Sequence, residues 1–122
     1  IILQGEFSLE MGDGSEITKR MEEFLRKKKE TQPLSQPSAG SIFKNPPGIA
    51  AGKLIDEAGV KGMRRGDAMV SPLHANFIVN VGAARARDVL GLIACIRKRI
   101  HHEKGITLEL EVQIIGEEEL AE

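Results

Sequence analysis

Along the first ten positions apolar and polar residues alternate with period two: Ile1, Leu3, Phe7 and Leu9 share one face, while Gln4, Glu6, Ser8 and Glu10 share the other. This predicts a half-buried strand over residues 1–10. Gly12, Asp13 and Gly14 interrupt it, and Ser15 is placed to cap a helix. Ile17, Met21, Phe24 and Leu25 then recur at helical spacing up to about Lys29, which predicts an amphipathic helix. Its basic end, Arg26 to Lys29, complements the negative end of the helix dipole and reads as a solvated face.

Residues 31–48 hold four of the five prolines and two glycines without any period, so a long loop is predicted there. Long loops in compact domains tend to carry function. From about Ile49 a short helix is expected, with Leu54, Ile55 and Ala58 facing inward and Gly59 as its stop. Residues 63–70 and 76–81 read as two strands separated by Ser71, Pro72 and Leu73, and the second is an almost continuous apolar run. A longer helix over about 84–103 buries Val89, Leu92, Ile93, Ile96 and Ile100, and Gly105 ends it. Residues 108–115 form the last predicted strand, before the acidic tail EEELAE. The order of elements gives an α+β fold, with helices packed on a small mixed β-sheet.

Composition narrows the classes of function. At 122 residues the chain has room for one real core. Its 17 Lys and Arg nearly cancel its 18 Asp and Glu, so no overall field points to nucleic acid or an anionic membrane, and any charged ligand must be held locally. A single cysteine, Cys95, allows neither a disulfide framework nor a cysteine-rich metal site. No apolar run approaches the ~20 residues of a spanning helix, and a cytoplasmic location is expected. His101 and His102 are neighbours on a helix, diverge by about a quarter turn and have no acidic cluster beside them, so no metal site is expected. With no Trp, no Tyr and four Phe, stacking platforms for bases or flavin rings are scarce. The chain opens without Met on a strand-like run, which reads as a fragment of a larger protein.

The most informative stretch is PSAGSIFKNPP, residues 37–47, which sets Ser41, Lys44 and Asn45 on one short loop. Gly40 frees the backbone just before Ser41, and Pro46 and Pro47 keep a helix from forming through Lys44 and Asn45. Taken alone this signal is modest. A serine after glycine more often satisfies its own turn, an Asn before Pro often only sets a turn, and an exposed lysine is usually solvated.

Longer blocks carry more. SAGSIFKNPPGIAAGKLIDEAGVKG at 38–62, HANFIVN at 74–80 and LELEVQIIGE at 108–117, joined by ETQPL at 30–34, occur in that order and spacing. In this the chain resembles, nearly end to end, the C-terminal substrate-binding domain of the UDP-N-acetylenolpyruvoylglucosamine reductase (MurB) family of peptidoglycan synthesis, in the shorter form without a tyrosine-bearing insertion. The resemblance implies residues 11–122 as that domain and residues 1–10 as a terminal strand of a preceding flavin domain or a linker strand. It implies FAD and NADPH as cofactors of a full-length parent, with neither bound to this fragment, which by itself would be inactive. The partners it implies are UDP-N-acetylenolpyruvoylglucosamine and the flavin domain, not nucleic acid or membrane. The opening strand, cut from its neighbours, is further expected to pair with a second copy or with the domain's own sheet.

By the same resemblance, Ser41 is the proton donor to the carbanion left by hydride transfer, and Glu111 is the glutamate of the final strand. Its apolar neighbours Leu110, Val112, Ile114 and Ile115 lead to the expectation that Glu111 is buried and holds its proton; the alternative is that Glu109 and Glu111, two apart, line the solvated face of an edge strand. Asn45 corresponds to a residue that contacts the substrate diphosphate, Lys44 stands beside it as a helper, and Lys53 adds charge near the start of the short helix. His74 sits where the longer form has a substrate-contacting glutamine; from the residues alone it reads equally well as a hydrogen-bonded structural histidine. Asp67, Leu110 and Gln113 depart from the family pattern, replacing a usual glycine, proline and arginine. The alternative reading is a stand-alone module that binds UDP-sugars without catalysis, which tight binding of UDP-N-acetylglucosamine by the isolated chain would favour.

Overall fold

The structure, a computed structural model, describes residues 2–116; Ile1 and the acidic tail lie outside the described residues. The chain divides into two compact units, residues 1–30 and residues 31–122.

The first unit carries α1, Gly14–Thr31. Asp13 starts this helix, not Ser15: its Oδ1 accepts the backbone N–H groups of Ser15 at 3.0 Å and Glu16 at 2.9 Å, and also the Ser15 hydroxyl. A carboxylate meets the unpaired N–H groups and the positive end of the helix dipole at once, so aspartate two positions earlier prevails over serine. The apolar stripe Ile17, Met21, Phe24 and Leu25 is present on α1, yet no residue of the helix is buried. The strand predicted over residues 1–10 is absent from the described residues. Residues 2–10 have no regular structure, and Ile2, Leu3, Phe7 and Leu9 are almost fully exposed. Alternation gives a strand its two faces, but a strand exists only through hydrogen bonds to another strand, and the sheet takes all its members from later in the chain.

The second unit is α+β. Its elements are β1 (Ser38–Ser41), α2 (Ala51–Glu57), β2 (Arg64–Arg65), β3 (Ala68–Val70), β4 (Phe77–Asn80) and α3 (Ala86–Lys104). The sheet order is β1-β4-β3-β2, and every pairing is antiparallel, so the sheet is not the mixed one predicted. The connections explain this. The turn from β2 to β3 is too short for a parallel crossover, and no helix separates β3 from β4. Gly66, with φ of 54°, takes the one turn position that needs a positive φ, which leaves its neighbour open to Asp67. The Asp67 Oδ2 accepts the Ala83 N–H at 2.8 Å and ties this hairpin to the approach of α3.

β4 is central, and its Phe77, Ile78 and Val79 are all buried, which is why its sequence is a continuous apolar run and not an alternation. α3 buries Leu90, Leu92, Ile93, Ile96 and Ile100 and ends at Gly105, whose left-handed φ of 68° lets its N–H bond the His101 carbonyl at 2.9 Å. α2 contributes Leu54 and Ile55, and Ala58 beside it is also buried. Of the β4 side chains, Ile78 joins those of α2 and α3, with Ile42, Phe43, Val60, Val70 and Leu108, in one core, while Phe77 and Val79 alternate onto the other face of the sheet.

Two stretches differ from their prediction. The loop of residues 31–48 contains β1, because Ser, Ala and Gly carry no hydropathic alternation and yet pair well with β4: Ser38 faces Val79, and Ser41 faces Phe77 across a bulge. Residues 108–115 form no strand. They make one isolated antiparallel bridge, Leu110 to Phe43, with the Lys44 N–H on the Glu109 carbonyl at 2.9 Å and the Glu111 N–H on the Ile42 carbonyl at 2.8 Å. The facing segment is short because Pro46 and Pro47 offer no N–H to continue a ladder.

Candidate functional site

Asn76 shapes the segment that carries the candidate residues. It is a buried side chain between the turn at Ser71 and the central strand, and its amide grips the Phe43 backbone from both sides: Oδ1 accepts the N–H at 2.9 Å and Nδ2 donates to the carbonyl at 2.8 Å. Its own carbonyl accepts the Ile42 N–H at 2.9 Å. Three hydrogen bonds to two consecutive residues fix the backbone between Ser41 and Lys44. Asn76 was not singled out in the sequence; its signal was an Asn beginning an apolar strand, where a polar group needs a reason to be buried.

Four of the six candidate residues meet in one cleft of about 380 Å³: Ser41, Asn45, Lys53 and His74 line it, with Gly52, Asp56, Lys61 and Asn76. They come from β1, from the loop after it, from α2 and from the turn before β4. Ser41 is exposed on the cleft. The Asn45 Oδ1 accepts the Ala51 N–H at 2.9 Å, so the side chain expected to meet a diphosphate also caps α2 from within the chain. One N–H at that helix start is therefore already occupied.

His74 is half-buried and structurally engaged. Its Nδ1 accepts the Asn76 N–H at 3.2 Å, its own N–H donates to the buried Ser71 Oγ at 3.3 Å, and its ring stands edge-on to Phe77 with centroids 4.8 Å apart. Accepting at Nδ1 places the ring proton of the neutral form on Nε2. Gly52 makes room for it, since a Cβ there would lie 3.1 Å from the His74 Cε1. The same ring is thus both anchored and on the cleft wall.

Lys53 is exposed and 4.0 Å from Glu57 one helical turn on. Lys44 faces elsewhere. Its Nζ lies 3.5 Å from the Glu109 carboxylate, and it lines a separate, smaller cleft with Pro46, Pro47, Thr107 and Glu109, which Asn45 adjoins from the other side. Both residues flank the Phe43 to Leu110 bridge, so alternation turns them away from the core.

Glu111 is exposed, contrary to the burial expected of it; Leu110 and Val112 on either side are half-buried, and Ile115 is open to solvent. With one bridge in place of a strand, nothing among the described residues covers that face. Its backbone sits directly across from Ile42, next to Ser41 in sequence, but its side chain is not among those lining the Ser41 cleft. Gln113 lies further on, at a predominantly apolar cleft of about 490 Å³ with Ile42, Val89, Leu90 and Ile93. Among the described residues no three His, Cys, Asp or Glu side chains gather as a metal site would require, and no helix is long and apolar enough to cross a membrane.

The cleft and the sheet around it have close relatives. The chain is 51% identical over 116 residues to the UDP-N-acetylenolpyruvoylglucosamine reductase of Carboxydothermus hydrogenoformans, covering 95% of this chain and 38% of that protein. It is 50% identical over 117 residues to the reductase of the same name from Caldanaerobacter subterraneus subsp. tengcongensis, covering 96% of this chain and 39% of that protein. The crystal structure of UDP-N-acetylenolpyruvylglucosamine reductase from Thermus caldophilus superposes with a TM-score of 0.72 at 51% identity, over 87% of this chain and 37% of that one. The chain therefore spans well under half the length of these relatives. The profile of the family described as UDP-N-acetylenolpyruvoylglucosamine reductase, C-terminal domain, matches residues 32–115, and with that match the chain belongs to this family of domains.

Proposed function

We propose that this chain is the substrate-binding and proton-donating part of a UDP-N-acetylmuramate-forming reductase, acting on UDP-N-acetylenolpyruvoylglucosamine in peptidoglycan precursor synthesis. The observation that carries the reading is the convergence of Ser41, Asn45, Lys53 and His74, distant in sequence, on one polar cleft. It is supported by the reductase names of the relatives.

In this reading the diphosphate and sugar lie along the cleft, with the Asn45 amide and lysine charge on the phosphates and the enolpyruvyl group near Ser41. FAD, reduced by NADPH, would supply the hydride. The tricyclic ring would be held by residues other than the cleft lining, which contains no Phe to stack on it. Ser41 then gives its hydroxyl proton to the carbon left electron-rich by hydride addition. A serine hydroxyl is a weak acid and suffices only where it is held on the carbon and water is displaced. The clamp of Asn76 on Phe43 and the pairing of Ser41 with Phe77 supply that hold. Glu111 is proposed as the second catalytic residue because its backbone is hydrogen bonded beside the segment carrying Ser41. Its exposure gives no support to a buried, proton-holding carboxyl, so any such state requires a cover that the described residues do not provide. The surroundings proposed for this work are cytoplasmic.

The test is a chimera in which this chain replaces the matching part of the Carboxydothermus protein. The expected result is NADPH-dependent turnover that Ser41→Ala lowers by about 10²- to 10⁴-fold, while flavin reduction by NADPH in the absence of substrate keeps its rate. A Ser41→Ala chimera with undiminished turnover would remove Ser41 from the chemistry.

A further inference from the structure

We propose that Lys61, held by Asp56, is the principal cation that meets the diphosphate in the Ser41 cleft; this rests on the proposed substrate and adds to it a residue that the sequence motif did not single out.

Three lysines compete for the role. Lys44 lines another cleft and not this one, and Lys53 projects from α2 with 69% of its side chain exposed. Lys61 lines the Ser41 cleft and keeps only 32% of its side chain exposed. Lys61 is exposed as a residue, yet its side chain is the less exposed of the two lysines on this cleft, and a charge with less solvent around it is less screened by water and salt.

Its position is also fixed in advance. Lys61 lies between the buried Val60 and Gly62, and the Gly62 N–H donates to the Val70 carbonyl at 2.9 Å while the Met63 N–H donates to the Val60 carbonyl at 3.0 Å. The Nζ is 2.7 Å from the Asp56 Oδ2. An ammonium has three donors, and this bond uses one, leaving two for phosphate oxygens. Asp56 acts as a positioning residue: it spares a long flexible side chain the entropy of being ordered by the ligand.

The experiment is a titration of the isotope-labelled 122-residue chain with inorganic pyrophosphate, UDP and uridine, read by backbone amide shifts. Pyrophosphate and UDP are expected to move the amides of Asn45, Lys61 and His74. Lys61→Gln is expected to weaken both by about tenfold, the loss of one charge-assisted contact, and to leave the uridine response unchanged. Lys61→Arg should stay within about threefold of the parent, since charge and donors remain. Lys98→Gln, on α3 and away from the cleft lining, removes the same unit of charge and should change nothing. If Lys61→Gln, still folded by its spectrum, takes up pyrophosphate as the parent does, the inference about Lys61 is overturned and the cleft reading stands. If the parent chain shows no shift at the cleft with UDP or pyrophosphate, both fall.

Discussion

Asn76 and Phe43 are joined by two hydrogen bonds through one side chain, 2.9 Å from the Phe43 N–H to Oδ1 and 2.8 Å from Nδ2 to the Phe43 carbonyl, and both residues are buried. The segment bearing the candidate proton donor is thus attached to the central strand by an amide that can accept and donate at once. Asn76→Ala leaves two buried backbone groups without partners, which costs about 2–4 kcal/mol. Asn76→Asp should cost at least as much at neutral pH, because it keeps the acceptor but sets a carboxylate against the Phe43 carbonyl. Urea denaturation of the two variants checks the order; a loss below about 0.5 kcal/mol for both would mean that solvent replaces the clamp without penalty.

Two glycines should respond oppositely to alanine. A Cβ on Gly52 would lie 3.1 Å from the His74 Cε1, and that ring is held by Asn76 and Phe77. The three atoms nearest a Cβ on Gly91 all belong to the exposed Arg65 side chain, as far back as its Cδ at 2.6 Å, so that side chain would have to swing aside from Cδ outward. Both positions are helical, where alanine is favoured by up to about 1 kcal/mol. Gly91→Ala is expected to be neutral or stabilising. Gly52→Ala is expected to forfeit that gain and to shift the His74 ring resonances. Thermal denaturation together with histidine ring spectra decides it, and equal stability of the two variants would contradict the argument.

The first turn of α1 should be sensitive to acid. Hydrogen bonding lowers the Asp13 pKa below its ordinary 3.8, first from the Ser15 hydroxyl and then from the Glu16 N–H. A carboxyl whose folded value lies below its unfolded value contributes stability above the unfolded value and loses it as pH falls through the folded one. The cap is therefore fully formed above about pH 4 to 5 and is lost below 3.8 as the carboxyl takes up its proton. Amide exchange at Ser15 and Glu16 should accelerate over that range relative to mid-helix positions, and Asp13→Ala should abolish the difference.

The long amphipathic α3, the inward face of α2 and the apolar β4 were legible because burial on a wide core leaves a periodic or continuous apolar trace. The motif Ser41 to Asn45 was legible as a candidate site; His74 was added by the family resemblance and Lys53 by its place near the start of the short helix. Three things were not legible. β1 is built from Ser, Ala and Gly, whose pairing leaves no hydropathic mark. Residues 1–10 and 108–115 carry strand patterns, but pairing needs a partner of sufficient length, and that is a property of the sheet and not of the segment. Lys61 and Asn76 went unnoticed because their importance lies in what they touch: one carboxylate in the first case, and a backbone thirty-three residues away in the second.

The single bridge between Phe43 and Leu110 yields a last prediction from a departure in sequence. The family resemblance implies proline where this chain has Leu110, and proline removes a hydrogen-bond donor. In this bridge the bonds run from the Lys44 N–H to the Glu109 carbonyl and from the Glu111 N–H to the Ile42 carbonyl, so the Leu110 N–H is not one of those the pairing uses. Proline there should stiffen the unfolded chain at no loss of pairing, and the half-buried leucine side chain is all that is given up. Leu110→Pro is therefore expected to change stability by no more than about 1 kcal/mol. Glu111→Pro deletes the bond to Ile42 and should detach the segment, with faster exchange of the Lys44 amide and a loss of about 1–3 kcal/mol. Denaturation curves and amide exchange of the two variants give the comparison. If Leu110→Pro proves the more damaging of the pair, the hydrogen-bond pattern across this bridge is not the one that holds the segment against residues 42–44.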